Sequence, residues 1–164
     1  MELEETMSLL AKGIVAGAAI SAGCLVFLIS ASAADIVNKQ LAACLAEKKP
    51  MGEVNSCGKK WKIGSSSARL AADGNVSVEV SGLVLDDVSV GDANGSPDGV
   101  DAIAVAVLCD GKVAAQADPV PLSKQGDAKF AGKLALPENC GSPALVVRER
   151  YQGKIGGWLA GASQ

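Results

Sequence analysis

The oxygen-bearing side chains that could bind a metal ion are concentrated between residues 86 and 101. Asp92, Asn94, Ser96 and Asp98 alternate with other residues, a spacing by which a loop can wrap its ligands around calcium. The bidentate glutamate of a calcium loop is missing, since the twelfth position holds an isoleucine. We therefore predict no cofactor and keep calcium as the alternative to a solvated acidic loop whose polar residues serve its turns.

The composition gives little support to catalysis. The 164 residues include no histidine, the side chain that most often transfers protons near neutral pH and a common zinc ligand. No serine or cysteine can therefore form a pair with a histidine base. The net charge of −3 gives no electrostatic footprint for a phosphate backbone. We predict that the protein is not an enzyme and does not bind nucleic acid.

Five cysteines are present, and no two of them form a CxxC motif. Cys24 lies in an uncharged stretch and is interpreted as a small apolar filler. The other four allow three pairings, of which we favour Cys44 with Cys57 and Cys109 with Cys140. Because disulfides persist in oxidising compartments, we predict an extracellular or cell-surface location.

A run of 22 residues from Gly13 to Ala34 carries no charge and would extend about 33 Å as a helix, enough to cross a bilayer. It could be a cleaved signal peptide, a membrane anchor, or a helix packed against copies of itself. Residues 31–33 would serve as a small-residue cleavage site, but the three glutamates ahead of the run oppose the basic flank of a signal peptide. An anchor with lysines after it would retain the disulfides in the cytoplasm. We therefore favour self-association.

Small residues recur in this run with a spacing of four, which lets helices approach to backbone contact. They could equally just keep the segment weakly apolar. Charges in such a bundle would need partners from neighbouring copies, because an unpaired buried charge is costly. The predicted helix-packing residues are Gly13, Gly17, Ala18, Ser21 and Ala22, and the predicted inter-subunit charges are Glu5 and Lys12.

The helix is predicted to continue to Pro50, since an amphipathic pattern without a helix breaker follows the apolar run. This gives a helix over 1–49, apolar over 13–34 and amphipathic over 35–49. Such a helix, with Glu5 near its start, resembles that of type IV pilins and related filament subunits. The resemblance implies a first half buried in a filament core and a second half packed on a globular head.

The rest of the chain is predicted to be a linker and a β domain. Residues 50–67 are rich in glycine and serine and form a linker tethered by the first disulfide. From residue 68 to 164, short strands alternate with turns, and Asp110-Gly111 predicts a tight hairpin. We predict an antiparallel, immunoglobulin-like β-sandwich there, which makes the whole chain α+β.

Several short motifs occur along the β domain. They are Gly82-Leu83-Val84, the strand ending in Cys109, Gly126-Asp127-Ala128, Leu136-Pro137 with Cys140 and Pro143, and Trp158-Leu159-Ala160. Through these motifs, residues 75–162 resemble small secreted bacterial β-sandwich proteins of unassigned activity. The resemblance implies a Cys109–Cys140 bridge, an extracellular location and no catalytic residue.

These features predict a structural subunit of an extracellular pilus-like filament, built through its N-terminal helix and inserted in the membrane before assembly. Its partners would be other copies of the chain. The alternative is a membrane-anchored or secreted β-sandwich binding module. The lysines around Trp61 are interpreted as part of a solvated linker, and Trp158 as a core residue.

Overall fold

The computed structural model describes residues 33–46 and 49–164, and strands dominate this part of the chain. A short 3-10 helix, Val88–Ala93, lies between the sixth and seventh strands. The strands are β1 (Asp35–Lys39), β2 (Ala42–Ala43), β3 (Trp61–Lys62), β4 (Ser65–Ala71), β5 (Asn75–Ser81), β6 (Val84–Leu85), β7 (Val100–Cys109), β8 (Lys112–Gln116), β9 (Val120–Pro121), β10 (Ala128–Lys133), β11 (Ala144–Tyr151) and β12 (Lys154–Ser163).

Two antiparallel sheets enclose one main core. The first has the order β1-β4-β5-β10, and the second has the order β2-β12-β11-β7-β8, with β9 also paired to β7. Leu70 and Val78 of the first sheet pack in the same cluster as Ile103, Leu145 and Leu159 of the second. Along β5 the valines are buried and the polar residues between them are exposed, as a sheet with one solvated face requires. The predicted sandwich-like, strand-rich fold is confirmed.

The predicted hairpin at Asp110-Gly111 is also present. Both residues have positive φ angles, 51° and 78°, which is the conformation of a tight type I′ turn. The turn joins β7 to β8, whose register begins at Cys109 opposite Lys112.

The predicted long N-terminal helix is wrong over its amphipathic half, and the α+β class is therefore corrected to β. The stretch 35–49 contains β1 and β2, and β1 pairs antiparallel with β4. Val37 and Leu41 are buried there at 2% and 7% exposure. Residues four apart share a face in a helix and in a strand, so this spacing fitted both structures. The sheet prevails because β4 offers β1 both backbone partners and an apolar face.

The resemblance to type IV pilins is not supported, because the described residues contain no long helix. None of their helices has the length and apolarity that crossing a membrane requires, so the predicted membrane insertion gains no support either. The predicted packing and charge residues lie outside the described residues. They are Gly13, Gly17, Ala18, Ser21, Ala22, Glu5 and Lys12.

Both favoured disulfides are present. Cys44 bonds to Cys57 with a Cα–Cα distance of 6.1 Å, and Cys109 bonds to Cys140 with a distance of 4.8 Å. Two such bridges indicate an oxidising environment for the folded chain.

Residues 49–57, here called the strap, cross the outer face of the six-stranded sheet. The indole nitrogen of Trp158 donates to Lys49 O at 3.2 Å, and the amide of Trp158 donates to Asn55 O at 2.9 Å. Val54 is buried against Ala106 and Leu108 of β7, on the face opposite the main core. β7 is therefore buried on both faces, by the main core on one side and by the strap on the other.

The strap approaches the sheet closely because β12 has a glycine beneath it. A Cβ at Gly157 would lie 2.6 Å from Ser56 O and 2.9 Å from Asn55 O. We expect Gly157→Ala to lower the free energy of unfolding by about 1–3 kcal/mol, since the backbone of the strap must move. Urea denaturation measures this loss.

Gly58→Ala is the matched control, because no atom lies within 4 Å of a Cβ added at Gly58, just beyond the strap. Its effect should stay within about 0.5 kcal/mol. Equal losses in the two variants would contradict the close packing of the strap.

Candidate functional site

The acidic loop between β6 and β7 is held by the short strand β3, which pairs with β6. Trp61 of β3 lies opposite Leu85 of β6, and both side chains are buried. The amide of Asp86 then donates to Lys60 O at 2.8 Å. This pairing places the lysines that flank Trp61 beside the aspartates at the start of the loop.

These lysines neutralise the first two aspartates of the loop. Lys60 Nζ lies 2.7 Å and Lys62 Nζ 3.7 Å from the Asp86 carboxylate. The hydrogen bond from Lys60 lowers the pKa of Asp86 below its ordinary value of 3.8. Hydrogen bonds from Ser89 lower the pKa of Asp87, with Lys59 as a further partner at 3.9 Å. The lysines thus pair with this loop, which the sequence did not reveal.

The oxygens proposed for calcium are partly used within the loop. Asn94 Oδ1 accepts from the amide of Asp87 at 3.0 Å, and Ser96 Oγ donates to Ala93 O at 2.8 Å. Asp92 and Asp98 are exposed. Within residues 33–46 and 49–164, no three Asp, Glu, Cys or His side chains gather closely enough to hold a metal ion. Calcium binding by Asp92, Asn94, Ser96 and Asp98 stays a prediction.

A cleft of about 370 Å³ lies between the acidic loop and the end of β11. We call it the Tyr151 cleft. Trp61, Leu85 and Val100 contribute apolar surface to it and are buried to 6% exposure or less. Tyr151 is 46% exposed. The remaining lining residues are Gly58, Lys59, Val90, Ala93, Asp98 and Glu149.

The ring of Tyr151 rests on Gly99. Tyr151 lies opposite Val100 in the β7–β11 ladder, which brings the ring over the glycine that precedes Val100. A Cβ at Gly99 would collide with the ring at Cε2, and Gly99 has a φ of 74°, a conformation that strongly favours glycine. The backbone at Gly99 therefore leaves room for the ring.

Charged neighbours also fix the strand end that carries the ring. Arg150 donates two hydrogen bonds to the Asp101 carboxylate, from Nε at 3.0 Å and from Nη2 at 2.6 Å. This pairing lowers the pKa of Asp101 and raises that of Arg150. Glu149 Oε1 accepts from the amide of Gly157 at 3.2 Å, so its carboxylate is oriented by the neighbouring strand.

A second recess of about 490 Å³ lies beside the first and shares Asp98 and Val100 with it. Its other walls are the backbone of residues 96–101 and the turn at Leu122–Lys124. It has no aromatic side chain, so we take the Tyr151 cleft as the better candidate site.

Sequence reasoning did not identify Tyr151 as a site residue. The available signal was that it is the single tyrosine of a chain with 3% aromatic residues, immediately before a turn. Trp61, which was assigned to a linker, contributes a buried wall of the cleft.

No protein family matches this chain, and no curated protein or solved structure is similar to it. The resemblances to pilins and to secreted bacterial β-sandwich proteins are therefore not supported as relationships. The geometry of the site is the remaining basis for a functional argument.

The contact between Gly99 and Tyr151 can be tested by Gly99→Ala. We expect a loss of about 1–2 kcal/mol in the free energy of unfolding from the left-handed backbone, together with a displaced tyrosine ring. Because the chain has one tyrosine, its ring signals in an NMR spectrum report that displacement directly.

Gly153→Ala is the control for the backbone effect. Gly153 has a φ of 76°, close to that of Gly99, and an added Cβ there meets no atom within 4 Å. The control should lose similar stability with unchanged tyrosine signals. A Gly99→Ala variant with unchanged ring signals would contradict the contact.

The Asp101–Arg150 pair predicts a pH dependence. The folded chain lowers the pKa of Asp101, so its contribution is present above the ordinary aspartate pKa of 3.8 and disappears as the pH falls through the folded value. We expect Asp101→Asn to make the loss of stability between about pH 6 and pH 2 smaller than in the wild type. Urea midpoints across this range measure it, and Asp118→Asn, an exposed aspartate, is the control.

Proposed function

We propose that the chain is an extracellular binding module that takes a small ligand in the Tyr151 cleft. The observation that carries the proposal is the half-exposed ring of Tyr151 beside the buried apolar surfaces of Trp61, Leu85 and Val100. An exposed aromatic ring beside an apolar wall is a surface that a ligand can complete.

The composition of the cleft suits recognition. Ligand sites combine a mostly apolar lining with a few polar groups that fix orientation, in volumes from about 300 Å³ upward. Here Lys59 and Asp98 line the cleft together with Tyr151 and supply opposite charges. A fitting ligand has one flat apolar face for the ring and polar groups at its edge, as sugars and small aromatic compounds have.

The placement of the ring favours binding. The ring contacts Gly99 and its strand is paired with β7, so part of the conformational entropy of Tyr151 is lost before any ligand arrives. A tyrosine also provides a large contact surface with few rotatable bonds.

The filament function predicted from the sequence stays a prediction. Its helix-packing residues lie at 13–22, outside the described residues, and no feature of the β domain bears on self-assembly. The binding module is therefore the function that the described geometry favours.

The proposal can be tested by NMR titration of isotope-labelled protein with a panel of monosaccharides and small aromatic compounds. Saturable shifts that cluster at Gly58, Trp61, Gly99 and Tyr151 would support the cleft as the site. Shifts confined to another surface, or no saturable shifts across the panel, would contradict it.

A Tyr151→Ser variant sharpens this test. We expect it to weaken binding of any hit about tenfold or more, because removal of a central aromatic contact typically costs more than about 1 kcal/mol. Val88→Ser is the control, since Val88 is 87% exposed on the acidic loop but does not line the cleft. Equal losses in both variants would argue against a role for the tyrosine ring.

A further inference from the structure

The β domain begins directly after the uncharged run of the sequence. Asp35 is the first residue of β1, and the amide of Ala72 donates to Ala34 O at 2.8 Å. Asp35 Oδ1 also accepts from Arg69 Nε at 2.6 Å.

The residues just ahead of this boundary have the pattern of a signal-peptidase site. Ala31-Ser32-Ala33 places small residues at the first and third positions before Ala34, as such sites require. The apolar residues 24–29 precede it, and Lys12 stands immediately before the uncharged run. The segment 7–12 carries that lysine as its only charge, so the flank nearest the run is basic, whereas the three glutamates lie farther away.

The structure also removes the reason for joining the apolar run to a longer helix. Residues 35–39 and 42–43 are strands, so the apolar run is not the first half of one helix over 1–49. The two disulfides further indicate an oxidising compartment, which the chain reaches by export. Export needs a targeting segment, and this run has the composition of one.

We propose that a signal peptidase hydrolyses the peptide bond between Ala33 and Ala34, and that residues 34–164 are the mature protein. Water adds across the amide, leaving a carboxylate on Ala33 and an amino group on Ala34. The Ala34 carbonyl keeps its hydrogen bond to Ala72, and both disulfides lie on the mature side of the cut. The proposal is independent of which ligand the Tyr151 cleft takes.

The test is expression of the full chain, with a C-terminal tag, in a bacterium that exports proteins to its periplasm. Intact-mass and N-terminal analysis of the periplasmic protein should show a chain that begins at Ala34. A periplasmic protein that keeps residues 13–33, or one that begins at another residue, would overturn the assignment.

Two variants separate processing from folding. Ala33→Leu should accumulate as an uncut precursor in the membrane fraction, with at least a tenfold loss of the chain that begins at Ala34. Ser32→Leu adds the same side chain at the position that the peptidase does not restrict, and should be cut normally. Equal processing of Ala33→Leu and the wild type would contradict the proposed bond.

Discussion

Burial of β7 on both faces is the constraint on which the rest of the fold depends. Every residue from Ala102 to Cys109 is buried, although an antiparallel sheet usually leaves one face to water. Ile103, Val105, Val107 and Cys109 belong to the main core between the sheets, and Ala106 and Leu108 pack with Val54 of the strap on the opposite face. A strand covered in this way must be apolar, and β7 is apolar from Ala102 to Cys109, whereas Asp101 near its start is exposed.

This constraint explains the sequences of the strap and of β12, the strand that pairs with β11 on the side away from β7. The strap can lie flat because Gly157 exposes its backbone to Ser56 and Asn55, and the Cys44–Cys57 bridge anchors its end. The Glu53 carboxylate also accepts a hydrogen bond at 2.8 Å from the amide of Val113 on the edge strand β8. A segment with few apolar residues thus covers a sheet through backbone bonds, one valine and a disulfide.

The parts of the fold that follow from local pattern could be predicted from the sequence. The alternation of short strands with turns over 68–164 and the Asp110-Gly111 turn depend on residues within a few positions of one another, and both are present. The assignment of 35–49 failed because Val37 and Leu41 suit both a helix and a strand, and β4 decides between them from 30 residues away in the chain. The Tyr151 cleft was missed for the same reason, since its lining comes from four separate segments that only the sheet register brings together.

The two sides of the Tyr151 cleft are stabilised by different forces, and this difference bears on the ligand binding that we propose for it. Trp61, Leu85 and Val100 belong to paired strands and buried packing, which resist local opening. The opposite wall is the acidic loop, whose ion pairs with Lys59, Lys60 and Lys62 are all partly exposed and individually contribute little. The exposed side chains of this wall can adjust to a ligand, whereas its backbone is held by hydrogen bonds from the Leu85 amide to Ser96 O and from the Gly95 amide to Leu85 O. A buried apolar platform beside adjustable polar side chains combines a preorganised contact with tolerance at the edge of a ligand, which suits the binding module that we propose.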